Sequence, residues 1–266
     1  LGDAIADSEN RQRAFIATKF GIVRKEGEYQ RSINGRPEYV IEAAEASLAR
    51  LGVETIDLFY LHRVDVSVPI EDTVGAMAEL VRQGKARHIG LSEASASTIR
   101  KAHAVHPLAA VQTEYSLWTR DVEAEVLPVV RELSIALVAY SPLGRGFLTG
   151  KLERESLRKE GDFRGYLPRF SGDDFEHNMA VIRILNDMAE RKGVTTAQLA
   201  LAWVLAQGDD VIPIPGTRRI EYLRDNVAAS EIELSDEELT EIEASFAKHE
   251  VRGARYTPEG MVGVNR

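Results

Sequence analysis

Short apolar runs alternate with longer stretches of helical period along almost the whole chain, and this alternation limits the fold more than any other feature of the sequence. A βαβα pattern predicts a parallel sheet with crossover helices, and hence an α/β protein. The runs that read as strands are Phe15 to Phe20, Thr55 to His62, Arg87 to Ser92, Ala109 to Tyr115, Ile135 to Ser141 and Val211 to Pro215. They are apolar without clean alternation, as expected where both faces of a strand are covered. Pro37 opens the helical stretch YVIEAAEASLARLG, Pro69 precedes IEDTVGAMAELVRQG with its end at Gly84, and others begin at Ser97, Asp121 and Arg219. The interval from Phe147 to Gln207 exceeds one crossover. Within it, Lys159 to Asp174 reads as a loop over a barrel mouth, followed by helices over Phe175 to Lys192 and Thr195 to Ala206. The capping box Ser235-Asp236-Glu237-Glu238 opens a last amphipathic helix that runs to His249.

Six strands are two short of a closed (β/α)8 barrel, so the sheet is either open and doubly wound or a barrel lacking two strands. A doubly wound dinucleotide fold would carry G-x-G-x-x-G after its first strand, and KFGIVRKEG does not supply it. The expectation is therefore a (β/α)8 TIM barrel forming one domain over residues 1–266, of which about six βα units can be read and the missing strands are to be looked for upstream.

Composition narrows the chemistry. The chain has no cysteine, which excludes disulfides, thiolate catalysis and Cys-ligated metal centres. Its histidines include neither a strand-end H-x-H nor H-E-x-x-H, and His103 and His106, at i, i+3 on one helix face, lack a carboxylate at ligand spacing. No metal is expected. The absence of G-x-S-x-G argues against Ser-His-Asp hydrolysis. With 42 acidic against 33 basic residues, a net charge of -9 and no basic block, neither nucleic acid nor an anionic membrane is an expected partner. No apolar run approaches the roughly 20 residues of a membrane span, so a cytoplasmic location is expected. A small-molecule site is left as the function to look for.

In a barrel the C-terminal strand ends converge on one mouth, and polar residues collect at those ends here. They are Lys19 in ATKFG, His62 in FYLHR, Ser92 and Glu93 in GLSEAS, Gln112 and Tyr115 in VQTEYS, and the segments AYSPLGRG and PIPGTRR. Singly, each has an ordinary reading: Lys19 as a lysine snorkelling to solvent, His62 as a hydrogen-bonded histidine, Tyr115 and Tyr140 as core aromatics. Gln112 is harder to dismiss, because a primary amide in an apolar strand needs partners for both its ends. Together they favour a site. Gly144 to Gly150 and Gly216-Thr217-Arg218-Arg219 each put small residues and a guanidinium beside a strand end, the second just before a helix start, as an anion site requires. Arg219, followed by Glu221, reads equally as part of a solvated basic turn.

The ordered segments IATKFG, DLFYLHR, VRQGKARHIGLSEAS, VQTEYSLW, AYSPLGRGFLTGK, TTAQLALAWVL and IPIPGTRR with LRDNVAA resemble the aldo/keto reductase superfamily across essentially the whole chain. Within it they are similar to the perakine-reductase-like branch of microbial and plant enzymes. The resemblance implies a (β/α)8 barrel that binds NADPH and passes a hydride to an aldehyde or ketone, a small-molecule carbonyl substrate. The family's catalytic set is Asp, Tyr, Lys and His, of which Lys19 and His62 match the last two. An ammonium beside the acid phenol lowers its pKa. Ser92 and Gln112 match residues on the nicotinamide carboxamide, and Tyr140 the residue stacked on its ring. Ser141, Pro142, Leu143, Gly144 and Arg145 match the pyrophosphate segment, and Gly216, Thr217 and Arg218 the 2′-phosphate site. Asp225 and Asn226 match adenine contacts, with Tyr222 also on the cofactor side, where relatives often carry Gln or Arg. Glu93 stands where many relatives have Asn, and the Lys159 to Asp174 loop and Trp118 are in places that set substrate specificity.

The family's Asp and Tyr lie in an upstream D-T-A-x-x-Y-G motif followed by N-E-x-x-L-G, and the chain opens on Leu1-Gly2 of the latter. The N-terminal hairpin, first two barrel strands and first helix are therefore expected to be missing. Tyr29, in a polar loop, and Tyr39, at a helix start, do not replace the acid. The chain by itself is expected not to work as a reductase. The alternative function is a catalytically inactive pyridine-nucleotide-binding or regulatory subunit of the same fold, as the family's similarity to potassium-channel β subunits allows.

Overall fold

The computed structural model describes residues 1–24, 31–261 and 263–265. Gly2–Ile5 (α1) and Ser8–Arg13 (α2) precede Ala17–Phe20 (β1) and the antiparallel pair Ile22–Arg24 (β2) and Arg31–Ile33 (β3). Then come Pro37–Leu51 (α3), Ile56–Leu61 (β4), Ile70–Arg82 (α4), Ala86–Ser92 (β5), Ala96–Val105 (α5), Ala110–Glu114 (β6), Val126–Glu132 (α6) and Ala136–Tyr140 (β7). Gly172–Lys192 (α7), Thr196–Leu205 (α8), Val211–Ile214 (β8), Ile220–Ala228 (α9), Asp236–Lys248 (α10) and Pro258–Met261 (α11) complete the chain. Six strands form one parallel sheet in the order β1-β4-β5-β6-β7-β8, the α/β arrangement of a (β/α)-barrel core.

The chain divides into two compact units. The first comprises Leu1–Thr113, Glu125–Leu137 and Gly263–Arg266. Its centre is β4, IDLFYL, in which all six residues are buried, and α4 lays Val74, Met77 and Leu80 into the same core. Local chemistry sets the helix limits: α3 starts on Pro37 and ends at Gly52, whose φ of 68° closes the last turn in the left-handed region. The second unit comprises Glu114–Ala124 and Val138–Val262. Its core is aromatic, with Trp118 stacked on Phe147 at 4.3 Å and Tyr115 edge-on to Trp203 at 5.5 Å. Helices α8 and α10 begin in complete capping boxes, Thr195 with Gln198 and Ser235 with Glu238.

The expected strands are present with ends shifted by one or two residues. Phe15 is exposed and precedes β1, whose pairing with β4 begins at Ala17. Helix α5 starts at Ala96 because Ser95, not Ser97, caps it by accepting from the Thr98 N–H. His106 is extended and outside that helix, so it does not share a face with His103, whose ring nitrogen accepts from the Leu108 N–H. Asp121 starts a single 3-10 turn, Asp121–Glu123, and the helix proper follows at Val126. The Lys159 to Asp174 segment contains two 3-10 turns and gives way to α7 at Gly172, and Arg219 is the residue before α9. The β2–β3 hairpin was not expected, and Tyr29 lies outside the described residues. Among the described residues no helix is long and apolar enough to cross a membrane, and no group of three or more metal-ligating side chains forms.

Candidate coenzyme and active site

In the second unit, two stretches that are far apart in sequence, the turn after β7 and the turn after β8 running into α9, line one cavity of about 840 Å³. The turn after β7 contributes Tyr140, Ser141, Pro142, Leu143 and Arg145, the turn after β8 contributes Gly216, Thr217, Arg218 and Arg219, and α9 contributes Tyr222, Asp225 and Asn226. Gly144 belongs to the same turn as Arg145 but is buried beneath it, and a Cβ there would lie 2.6 Å from Trp118 Nε1. The cavity therefore gathers every coenzyme residue expected from this unit except Gly144.

Three side chains of the cavity behave in ways the sequence does not announce. Arg145 directs its guanidinium away from solvent, donating to the buried Glu114 carboxylate at 2.7 Å. Lys151, which ends the segment FLTGK, lines the cavity with its ammonium 5.6 Å from the Tyr222 ring, and Arg219 approaches that ring at 5.2 Å. Arg164, from the 159–174 segment, also lines it, with its guanidinium paired to Asp162. The Tyr140 and Tyr256 hydroxyls share a hydrogen bond of 2.9 Å. Tyr115 is a core aromatic: its hydroxyl donates to Glu123 at 2.8 Å, and burial, then that carboxylate, push its pKa far up. Trp118 is buried in the aromatic core of the unit.

In the first unit, Lys19 near the end of β1, His62 just after β4, Ser92 at the end of β5 and its register partner Gln112 within β6 lie towards the same end of the paired parallel strands. Lys19 is level with Tyr60 across β1–β4, and its ammonium is 5.8 Å from the Tyr60 ring. Burial, and secondarily the charge of Arg63, hold its pKa below the ordinary lysine range. The His62 N–H donates to the Phe20 carbonyl at 2.8 Å, fixing the end of β4 against β1. Ser92 and Gln112 are register partners on β5 and β6, and both are buried.

Tyr60, which the sequence did not mark, joins these groups. Burial pushes its phenol up to about 12, and a hydrogen bond with the Gln112 side chain acts in the opposite direction. To reach Gln112 from β4 its ring must cross β5, and it crosses at Gly90, where a Cβ would lie 2.6 Å from both the ring and the Ala110 carbonyl oxygen. Only glycine leaves that path open. Glu93 follows with a φ of 53°, a left-handed position at which Asn is far better tolerated than Glu, and its carboxylate accepts from Thr113 Oγ1 at 3.3 Å. Asn265 secures this corner, its N–H donating to the Glu93 carbonyl and its Oδ1 accepting from Ser95 N and Thr98 Oγ1.

Residues 1–246 match the sequence pattern of the aldo/keto reductase family. The chain belongs to the aldo/keto reductase family. A "Probable aldo-keto reductase 1" of Glycine max is 50% identical over 246 residues, which are 92% of this chain and 70% of that protein. The structure of a glycerol dehydrogenase from Gluconobacter oxydans superposes with a TM-score of 0.87 at 31% identity, covering 97% of this chain and 78% of that one. A thermostable aldo-keto reductase solved with the inhibitor epalrestat gives a TM-score of 0.70 at 30% identity, covering 92% and 75%. The function of this aldo/keto reductase is accordingly that of an NADPH-dependent oxidoreductase of the family type.

Proposed function

We propose that the second unit's cavity holds the phosphate-bearing half of NADPH, while the strand-end residues of the first unit carry the nicotinamide contacts and the proton chemistry on an aldehyde or ketone. The observation that supports this reading is the meeting in one cavity of two segments that the sequence marks as candidate anion sites, represented by Ser141, Pro142, Leu143 and Arg145 and by Gly216, Thr217 and Arg218. Its volume suits a dinucleotide half, and exposed Thr217 and Arg218 beside the start of α9 suit a phosphomonoester. The residues fit the coenzyme, with one change of role. Arg145 serves through its backbone, since its charge is already spent on Glu114.

NADPH, when bound, supplies the hydride that reduces the carbonyl carbon. Thr217 and Arg218 bind the 2′-phosphate, with Gly216 giving room for it, and Asp225, Asn226 and Tyr222 serve the adenosine. The Ser141-Pro142-Leu143-Gly144-Arg145 turn follows the pyrophosphate. Tyr140 lies against the nicotinamide, whose carboxamide pairs with Ser92 and Gln112. Lys19 holds a poorly hydrated ammonium that favours ionisation of a neighbouring acid phenol, and His62 orients the carbonyl. Among the described tyrosines of the first unit, neither suits that phenol: Tyr60 is buried with its pKa pushed up to about 12, and Tyr39 sits in the first turn of α3. The substrate is a small carbonyl compound and the branch the perakine-reductase-like one, with a cytoplasmic location and neither nucleic acid nor membrane as partner.

Titration of protein fluorescence with NADPH and NADH, followed by absorbance assay of NADPH oxidation with an aromatic aldehyde, tests this. Preferential NADPH binding with turnover is the expected result. Tight binding without turnover would mark a nucleotide-binding subunit, and failure to bind NADPH would overturn the reading.

A further inference from the structure

The direction of Arg145 is not explained by coenzyme binding alone. An arginine in a turn that lines an anion site is expected to present its charge to the ligand, yet this guanidinium is only 8% exposed and points beneath the turn. There Nη2 donates to Glu114 Oε2 at 2.7 Å, Nη1 donates to the Arg255 carbonyl at 3.2 Å, and the Tyr256 ring covers the guanidinium at 4.7 Å. Glu114, the last residue of β6, is 1% exposed, and its other oxygen accepts from Thr119 Oγ1 at 3.3 Å.

The backbone above this pair is under tension. Arg145 has φ 56° and ψ 31°, a left-handed conformation that is costly for a residue with a Cβ and that persists only where its surroundings enforce it. Its neighbours Gly144 and Gly146, at φ 55° and 93°, adopt the same sign freely. The Arg164 guanidinium holds the Arg145 carbonyl from the other side at 3.0 Å. The Glu114 carboxylate holds the same residue by its side chain, and the Gly146 and Leu148 N–H groups close the turn on the Leu143 carbonyl.

We propose that Glu114 is a positioning residue for the coenzyme: by burying the Arg145 guanidinium it holds the Ser141 to Gly146 turn in the left-handed form that shapes the pyrophosphate side of the cavity. The proposal rests on the NADPH reading and adds to it a residue that touches no coenzyme atom. Its effect is confined to one half of the ligand. The turn after β8, which takes the adenosine 2′-phosphate, does not depend on it.

The test is calorimetric titration of the protein with NADPH and, separately, with 2′,5′-ADP. Glu114→Gln, which keeps the shape and removes the charge, should weaken NADPH about tenfold, the scale of releasing one strained residue, while 2′,5′-ADP binding hardly changes. Because an unpaired buried arginine can unsettle the fold, a second pair of variants is informative. Arg145→Ala, which keeps the strain and loses the anchor, should weaken NADPH as Glu114→Gln does. Arg145→Gly, free to adopt positive φ without an anchor, should recover most of the loss. Equal weakening by Arg145→Ala and Arg145→Gly would overturn the proposal, since the guanidinium would then be acting on the ligand itself. So would unchanged NADPH affinity in Glu114→Gln, or parallel loss of both ligands, the mark of a general structural defect. If the unaltered protein bound no 2′,5′-ADP, the coenzyme reading would fall first and the positioning role with it.

Discussion

Lys19 and Arg218 are both cations near the ends of parallel strands, one in each unit, and they are housed differently. Lys19 lies over the Tyr60 ring, poorly hydrated enough that its pKa is lowered. Arg218 is exposed, in a turn that lines an open cavity. The contrast suits the role proposed for each group. A group that tunes a proton transfer gains from desolvation, which strengthens its effect on a neighbour and fixes its geometry. A group that captures a phosphate gains from remaining hydrated and mobile until the ligand arrives, because a buried cation without its anion is costly. On the proposed function, the first unit would govern kcat and the second coenzyme affinity, a division that substitutions can break.

The largest effect is expected at Lys19. Lys19→Met should lower kcat by roughly 10²-fold or more with little change in NADPH affinity, on the scale of acid–base catalysis. Its lowered pKa gives a direction in pH: the ammonium is lost earlier as pH rises, so the alkaline limb of the kcat profile should lie below the ordinary lysine value of 10.5. Equal losses in kcat and in coenzyme affinity would dissolve the division between the units. Next in size is Arg218→Ala, which should weaken NADPH by about 1.5–3 kcal/mol, the worth of a hydrogen bond to a charged group, and leave NADH nearly unchanged. Fluorescence titration with both coenzymes checks it, and equal weakening of both would remove Arg218 from the 2′-phosphate.

Gly90→Ala tests the first unit's precision through stability. The added Cβ would meet the Tyr60 ring and the Ala110 carbonyl oxygen at 2.6 Å, and backbone cannot yield as a flexible side chain can. A loss of about 1–3 kcal/mol is expected, read as a fall in the denaturation midpoint, the usual cost of overpacking. A neutral outcome would mean that the Tyr60 ring does not cross β5 at this point.

These residues also show which parts of the molecule could be read from sequence. Helices α3 and α10 were legible because their limits are set by adjacent residues, Pro37 with Gly52 and Ser235 with Glu238. The strands were legible from apolar runs, and the polar groups at their ends from position alone. The β2–β3 hairpin was not, since its three-residue strands carry too short a pattern to distinguish from loop. His106 was misplaced because Pro107 excludes the helical region for the residue before it, a restriction that i, i+3 spacing ignores. The inward turn of Arg145 and the joining of Tyr60 to Gln112 depend on residues more than 30 positions away, and no local pattern contains them.

The smallest effect concerns two apolar strands. In β4 every side chain is buried, whereas β8, with the comparable sequence VIPI, leaves Ile212 49% and Ile214 42% exposed. Helix α9 beside this region of sequence buries none of its residues, and Ile220, Leu223 and Val227 are all exposed. Apolar character therefore does not determine burial; a covering partner does, and an uncovered apolar strand offers a surface for dyes or for another chain. Ile212→Thr keeps a β-branched side chain and so the strand, while it removes apolar area already in water. The 266-residue chain carrying it should bind less of an apolar-surface dye, with a change in unfolding free energy of less than about 0.5 kcal/mol, as for surface positions generally. If Ile212→Thr instead cost the several kcal/mol of a buried strand residue, Ile212 would be covered in solution, and β8 would differ from β4 in its partner and not in its burial.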